Sequence, residues 1–245
     1  KKWKPTVFKD DGEVTTQRRL ISRSYGGDPY DSYYIRIHNG VLGFKIGIAA
    51  NNRPVLDGTT NVEDNKWHHV AATYDVAQMK LYLDGNLEAS LAQTGSIIKE
   101  SATYELAIGC ENGAYGAKFF ASGDISNASI FNSALTPSQI KEIYNEGRPS
   151  DLNTFSGTAP VAWWQLGSNS SWTSPSWTVL DEIGTSNGTS TSMLGNAIVD
   201  GVRSSGNGVS TSMGSANNIS GDSPNSEGNS LSVNMTLANI AGGVN

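Results

Sequence analysis

The chain has 245 residues, a formal net charge of −6 and a sequence pI near 5.0, which argues against nucleic acid as a partner, because phosphate binding needs a concentrated basic surface. A membrane-spanning helix takes about 20 consecutive apolar residues, and every apolar run here is broken well short of that, so no membrane insertion is expected. Cys110 is the single cysteine, so no disulfide can close within the chain, and beside Ile108 it reads as a small buried apolar residue rather than a reactive thiol.

In chain order, Lys1-Lys2-Trp3-Lys4 lacks an initiator Met, a signal peptide and an opening strand ahead of Trp3, which reads as a fragment or a processed product. Leu20-Ile21-Ser22-Arg23 is the first expected strand. The segment Tyr25 to Tyr34 interleaves aromatic and acidic residues, a composition that suits stacking on sugars with hydrogen bonds to their hydroxyls. Tyr25, Asp28 and Tyr30 are the candidate ligand contacts, with Tyr33 assigned to the core. Next, Tyr33, Ile35 and Ile37 alternate with Tyr34, Arg36 and His38, Asn39-Gly40 supplies a two-residue turn, and Leu42, Phe44, Ile46 and Ile48 share a face, which together predict a β-hairpin.

Asp57, Asn61 and Asp64 are expected to share a polar loop that Asp124 approaches from another. These four are the candidate calcium ligands, because calcium takes loop oxygens from Asp and Asn. Trp67-His68-His69-Val70-Ala71-Ala72-Thr73-Tyr74-Asp75 and Lys80-Leu81-Tyr82-Leu83-Asp84-Gly85-Asn86 read as tandem strands with an Asp-Gly hairpin turn, and Trp67 and Tyr74 are expected to be largely buried. Adjacent strand residues point to opposite faces, so His68 and His69 cannot chelate one ion. With His38 the remaining histidine, neither a three-His zinc site nor a Ser-His-Asp triad is supported.

This Trp-x-x-Val strand followed by a Tyr-x-Asp-Gly hairpin resembles the signature of laminin-G-like domains of the concanavalin A-like jelly-roll type. Leu20-Ile21-Ser22-Arg23 resembles that family's Leu-Ile-Ser-Lys strand, and Gly123-Asp124-Ile125 through Ser133-Ala134-Leu135 resembles its closing strand, with Ser126 and Asn127 in place of the usual acidic pair. That departure weakens any inherited metal site. The resemblance spans about residues 3 to 148 and implies an all-β fold, a concanavalin A-like antiparallel β-sandwich. It also implies recognition and assembly rather than catalysis.

After the closing strand, Thr136 as N-cap, Pro137 at the first helical position and Gln139 three residues after the cap predict one short helix. Ile140, Ile143 and Tyr144 form its apolar stripe, expected to lie against the sandwich edge, and Gly147 ends it. Domains are accordingly placed at 1–148 and 149–245, the second a Ser/Asn/Gly-rich module with β-repeats. That module opens on Val161-Ala162-Trp163-Trp164-Gln165-Leu166, which resembles the first strand of another sandwich, with Trp172 and Trp177 close behind. Leaving so many tryptophans in water is costly.

The last third repeats itself. Ser204, Gly206, Asn207, Val209, Ser210, Met213, Ala216, Asn217 and Gly221 recur at a constant offset of 22 residues as Ser226, Gly228, Asn229, Leu231, Ser232, Met235, Ala238, Asn239 and Gly243. A first copy, Asn187-Gly188-Thr189-Ser190-Thr191-Ser192-Met193, precedes them. A unit with so few apolar positions gains stability by stacking on its neighbours or adding to another subunit's sheet, so residues 185–245 are the expected contact to other virion subunits or to a homo-oligomer. Together with the preceding domain, the repeat resembles structural proteins of tailed bacteriophages, particularly marine ones.

Jelly-roll glycosidases carry paired carboxylates on a strand, as in Glu-x-Asp-x-x-Glu, and no such strand exists here. No catalytic residue and no cofactor besides calcium is therefore expected. The reading is a virion or extracellular protein of a bacteriophage, a decoration or fibre-type component that displays a lectin-like sandwich for glycan or surface adhesion. The alternative is a secreted bacterial carbohydrate-binding or adhesin module.

Overall fold

The computed structural model describes residues 17–24, 31–48, 52–64, 66–98, 105–113, 116–121, 124–167 and 169–190. The described residues fall into two compact units, one holding 17–125 and 134–141, the other 126–133 and 142–190.

The first unit is a sandwich. Strands β1 (Gln17–Arg23), β2 (Tyr33–His38), β3 (Val41–Ile46) and β4 (Val55–Asn61) form a meander, and the order β4-β3-β2-β1 continues to β8 (Ala107–Ile108). A second sheet, β5 (Val70–Tyr74), β6 (Gln78–Leu83) and β7 (Asn86–Ala92), is antiparallel throughout. The short strands β9 (Glu111–Gly113) and β10 (Gly116–Lys118) pair with each other.

Both expected two-residue turns form with left-handed backbone at both positions, Asn39 and Gly40 at φ 52° and 79°, Asp84 and Gly85 at 49° and 76°. That is the conformation whose twist matches the flanking strands, and Asn, Asp and Gly reach it at least cost. Strand alternation then sends Ile37, Leu42, Phe44, Ile46 and Leu56 from one sheet against Met79, Leu81 and Leu83 from the other. Tyr33, Ile35, Val70, Ala72 and Tyr74 close the sides of this core. Trp67 and Tyr74 are half-buried rather than largely buried. Tyr74 keeps its ring against the core while its hydroxyl donates to the Gly95 carbonyl at 2.5 Å, so a polar tip at the sandwich rim sets its exposure.

The segment read as a loop around Asp57 is strand β4. Its polar side chains hid it, and the local chemistry explains it. β4 is the sheet's edge, and Glu88 of β7 accepts from the successive amides of Thr59 and Thr60 at 2.7 and 2.9 Å. A carboxylate set there satisfies donors that an open edge would offer to another chain.

Helix α1 (Pro137–Tyr144) begins with the capping box read from sequence: Thr136 N–H donates to Gln139 Oε1 at 2.9 Å and Gln139 N–H to Thr136 Oγ1 at 3.3 Å. Ile140 is buried and Gly147, at φ 85°, follows its last turn.

In the second unit β11 (Ala128–Ile130) pairs with β12 (Ala162–Trp164), placing Ala128 opposite Trp164. β13 (Ser171–Thr173), β14 (Ser176–Val179) and β15 (Gly188–Ser190) form a separate three-stranded sheet. Trp163, Trp164 and Trp177 are buried, and Trp172 stays exposed with its ring 5.5 Å from that of Trp177. The Trp163 N–H, Ile183 N–H and Ser186 N–H all donate to the Asp181 carboxylate, at 3.0, 3.1 and 3.1 Å. Burial pushes this carboxyl up, and those amides more than offset it, holding the group below the usual range. The first repeat copy contributes β15, and Asn187 Oδ1 accepts from Asp181 N–H at 3.0 Å. Met193 and the copies at 204–221 and 226–243 lie outside the described residues.

Candidate functional site

The face of the five-stranded sheet turned away from the core is not a row of solvated side chains. Register lines its residues up in rungs. Arg19, Arg36, Gly43 and Asp57 stand opposite one another across β1, β2, β3 and β4. Ser22, Tyr34, Lys45 and Val55 form the next rung, and Gln17 opposite His38 the one before. A bulge at Leu20 makes this possible, because it turns Arg19 to the polar face while Ile21 still pairs with Ile35.

Gly43 is the gap in the middle rung. A Cβ there would lie 2.7 Å from Arg36 Nε and 2.4 Å from Asp57 Oδ1. With hydrogen in its place, Arg36 reaches across β3, and its Nη2 donates to both Asp57 oxygens at 3.0 and 3.2 Å. Arg19 lies between two rings, its Cζ 3.8 Å from the Tyr34 centroid and 4.4 Å from that of Phe119. Its Nε donates to Glu111 Oε2 at 3.2 Å, and Glu111 also meets Lys118 at 3.5 Å. Arg19 is only 4% exposed and Glu111 2%. A buried charge in such a place is tolerable only when paired and hydrogen-bonded, as both are here. In the second rung, Lys45 meets Asp31 at 3.4 Å, and Ser24 donates to the other Asp31 oxygen at 2.5 Å.

Those last contacts pin the base of the β1–β2 connection, where Ser32 N–H also donates to the Arg23 carbonyl at 3.1 Å. The candidate ligand contacts Tyr25, Asp28 and Tyr30 belong to that connection and lie outside the described residues. Of the candidate calcium ligands, Asp57 is committed to Arg36. Asn61 Oδ1 accepts from Glu63 N–H at 2.9 Å, and Asp64 is engaged by Lys66 and by His68. Asp124 is exposed. Among the described residues no group of three or more His, Cys, Asp or Glu side chains could hold a metal ion.

A second polar cluster explains the signature strand. Asp84, in the Asp-Gly turn, accepts from His69 N–H through Oδ1 and meets His68 Nδ1 through Oδ2, both at 2.8 Å, while its own N–H donates to the His69 carbonyl at 2.8 Å. His68 Nε2 lies 3.1 Å from Asp64. An imidazole facing a carboxylate at each nitrogen is best satisfied as imidazolium, and the Asp84 hydrogen bond is the main cause of its raised pKa. The His68 side chain and the His69 backbone thus tie the strand's entry to the hairpin turn. Cys110 is half-buried, with its thiol pushed up by burial and then by Glu111, and its carbonyl accepts from the Ser22 hydroxyl at 2.9 Å.

Arg19, Arg36, Lys45, Gln17 and Glu111 were not singled out from sequence. The available signal was the polar half of the alternation, Tyr34, Arg36 and His38 on one strand and Gly43 and Lys45 on the next.

Compared with known proteins, residues 8–141 match a family model described as the concanavalin A-like lectin/glucanases superfamily. No curated protein matches the chain. A solved structure from Bacteroides ovatus ATCC 8483, provisionally described as a carbohydrate-binding protein, superimposes with a TM-score of 0.53 at 17% identity over 76% of this chain and 52% of that one. The chain thus spans about half the length of that protein. The CBM40 module of a Ruminococcus gnavus IT-sialidase gives a TM-score of 0.42 at 17% identity, covering 58% of this chain and 78% of that one. A heptameric pentraxin from Limulus polyphemus gives 0.46 at 17% identity, covering 79% and 81%. At these identities the likeness is one of fold.

Proposed function

The chain belongs to the concanavalin A-like lectin/glucanases superfamily, and from that premise we propose that it is a glycan-recognition module without hydrolytic activity, its ligand resting on the polar face of β1–β4. The observation that carries this reading is the preorganised rung of Arg19, Arg36 and Asp57 on that face, Arg19 held by Tyr34, Phe119 and Glu111 and Arg36 by Asp57. Side chains held in one geometry before the ligand arrives lose little entropy on binding. From sequence, Tyr25 and Tyr30 are further candidates for stacking on sugars and Asp28 for accepting from their hydroxyls. The B. ovatus structure supports the choice of ligand class.

Hydrolysis with retention needs two carboxyl groups about 5 Å apart, one nucleophilic and one held protonated. On this face Asp57 is paired with Arg36, Glu111 with Arg19 and Lys118, and Asp31 with Lys45. Each of these carboxylates is thus engaged by a cation.

The module acts within a larger assembly, as a decoration or fibre-type component of a bacteriophage virion. The formation of β15 by the first repeat copy supports this, since a repeat that forms an edge strand is suited to adding further strands. The fold shared with the B. ovatus protein favours the other reading, a secreted bacterial carbohydrate-binding or adhesin module. Passing the protein over immobilised polysaccharides tests the glycan reading. Retention that Arg36→Ala abolishes, without loss of fold, is expected, and equal retention of the variant refutes the placement. Native mass measurement separates the two contexts: a closed oligomer or virion-bound form is expected, and a monomer favours the adhesin.

A further inference from the structure

Arg19 and Arg36 stand directly opposite each other on neighbouring strands. Like charges in that position are destabilising, and the structure offsets each with a carboxylate on one side. One side of each guanidinium is taken by a carboxylate, Glu111 for Arg19 and Asp57 for Arg36. The other amino groups, Nη1 of both, turn to the same atom, the side-chain oxygen of Gln17, at 3.1 and 3.4 Å. An uncharged amide oxygen therefore sits where two guanidinium groups converge. Arg36 Nε, buried, has no hydrogen-bond partner among the described residues. Among the described residues Lys118 joins the two arginines and two carboxylates of this cluster, on a chain whose overall charge is −6. Arg19 and Arg36 are buried, Gln17, which both reach, is half-buried, and Asp57 is exposed.

We propose that the Gln17 oxygen is a placeholder and that the seat between Arg19 and Arg36 binds an anionic oxygen of the glycan, the carboxylate of a uronate residue or the sulfate of a sulfated one. The proposal rests on the glycan reading above and narrows it to acidic polysaccharides. An anion in the seat accepts from both Nη1 groups as charge-assisted hydrogen bonds, roughly twice as strong as those to an amide oxygen, and relieves the repulsion across the strand pair. Gln17, on the outermost described rung, swings aside. Arginine suits the role because its planar fork presents several fixed donors and stays charged at any physiological pH. The rings of Tyr34 and Phe119 on either side of Arg19 stop it from following the ligand out.

The test uses matched polymers and two substitutions at one residue. Polygalacturonate is compared with its methyl ester, and a sulfated galactan with its desulfated form, by calorimetry on the full chain. Binding of either acidic polymer at least about tenfold tighter than its neutral partner, weakening as salt is raised, is the expected result. The two pairs tell carboxylate from sulfate. Gln17→Glu places a carboxylate in the seat, and is expected to raise the melting temperature while lowering acidic-polymer affinity at least about tenfold. Gln17→Ala empties the seat and should bind as well as the parent or better. A merely structural Gln17 would move both variants in the same direction. Binding of neutral and acidic partners with equal affinity overturns the anion seat and leaves the glycan reading intact, as does a Gln17→Glu protein that melts lower and binds unchanged. Binding of none of the four polymers overturns both.

Discussion

Leu81 and Leu87 lie on adjacent strands of the same sheet, and alternation gives them opposite fates. Leu81 is 0% exposed at the centre of β6, whereas Leu87 on β7 is 54% exposed. Leu81→Ala removes three carbons, about 2.4 kcal/mol of transfer free energy at ~0.8 kcal/mol each. The vacated space adds a cavity cost set by how far the neighbours collapse. Across the ladder Leu81 faces Ala72 on one side and Ala89 on the other, side chains too short to reach into the gap. The total should thus fall near 4 kcal/mol, in the upper part of the range for buried leucines. Leu87→Ala should stay within about 0.5 kcal/mol. Urea titration followed by circular dichroism reads both, and in a thermal melt the Leu81 variant should fall by about 8–16 °C. A Leu81→Ala cost under about 1 kcal/mol, or an equal cost at Leu87, would refute the register that places the signature hairpin on the core.

Other expectations follow from single contacts. Glu88→Ala frees the Thr59 and Thr60 amides on the β4 edge; about 1 kcal/mol of stability should go, with faster hydrogen exchange confined to those amides, and unchanged exchange would show that Glu88 does not guard the edge. His68 titrates above its ordinary value because of Asp84 first and Asp64 as well, with Lys66 bound to Asp64 on the same side and His69 beside it. A raised folded pKa gives stability that is full below the unfolded value of about 6.5 and lost as pH rises through the folded value. The stability gap between the parent and His68→Gln should therefore be widest in mild acid and shrink above neutrality, and a gap that grows with pH would contradict the clamp. Gly43→Val should dislodge the Arg36–Asp57 pair by filling the space its side chains cross, detectable as lost retention on the polysaccharide that the parent binds; full retention would show that the pair is not needed.

The sandwich was readable because its instructions are local. Asn39-Gly40 and Asp84-Gly85 dictate their own backbone, the runs 33–38 and 41–46 alternate at period two, and Thr136 with Gln139 cap the helix within one turn. The polar face was not readable because it depends on register. Strict alternation from Ile21 sends Arg19 into the core, and the bulge at Leu20 that reverses this has no residue signature. Arg36 meets Asp57 only because β3 lies between them with a glycine at the crossing point. β4 escaped for a related reason, since the carboxylate that completes its edge arrives from Glu88, 28 residues beyond Thr60.

The central claim, recognition without cleavage on the β1–β4 face, is tested most directly by hydrogen exchange on the protein with and without a retained polysaccharide, with reducing ends assayed in the same samples. Slowed exchange at Gln17–Arg23 and Tyr33–His38 with no new reducing ends is the expected result. Protection elsewhere with that face unchanged, or reducing ends that accumulate with protein concentration, would contradict it.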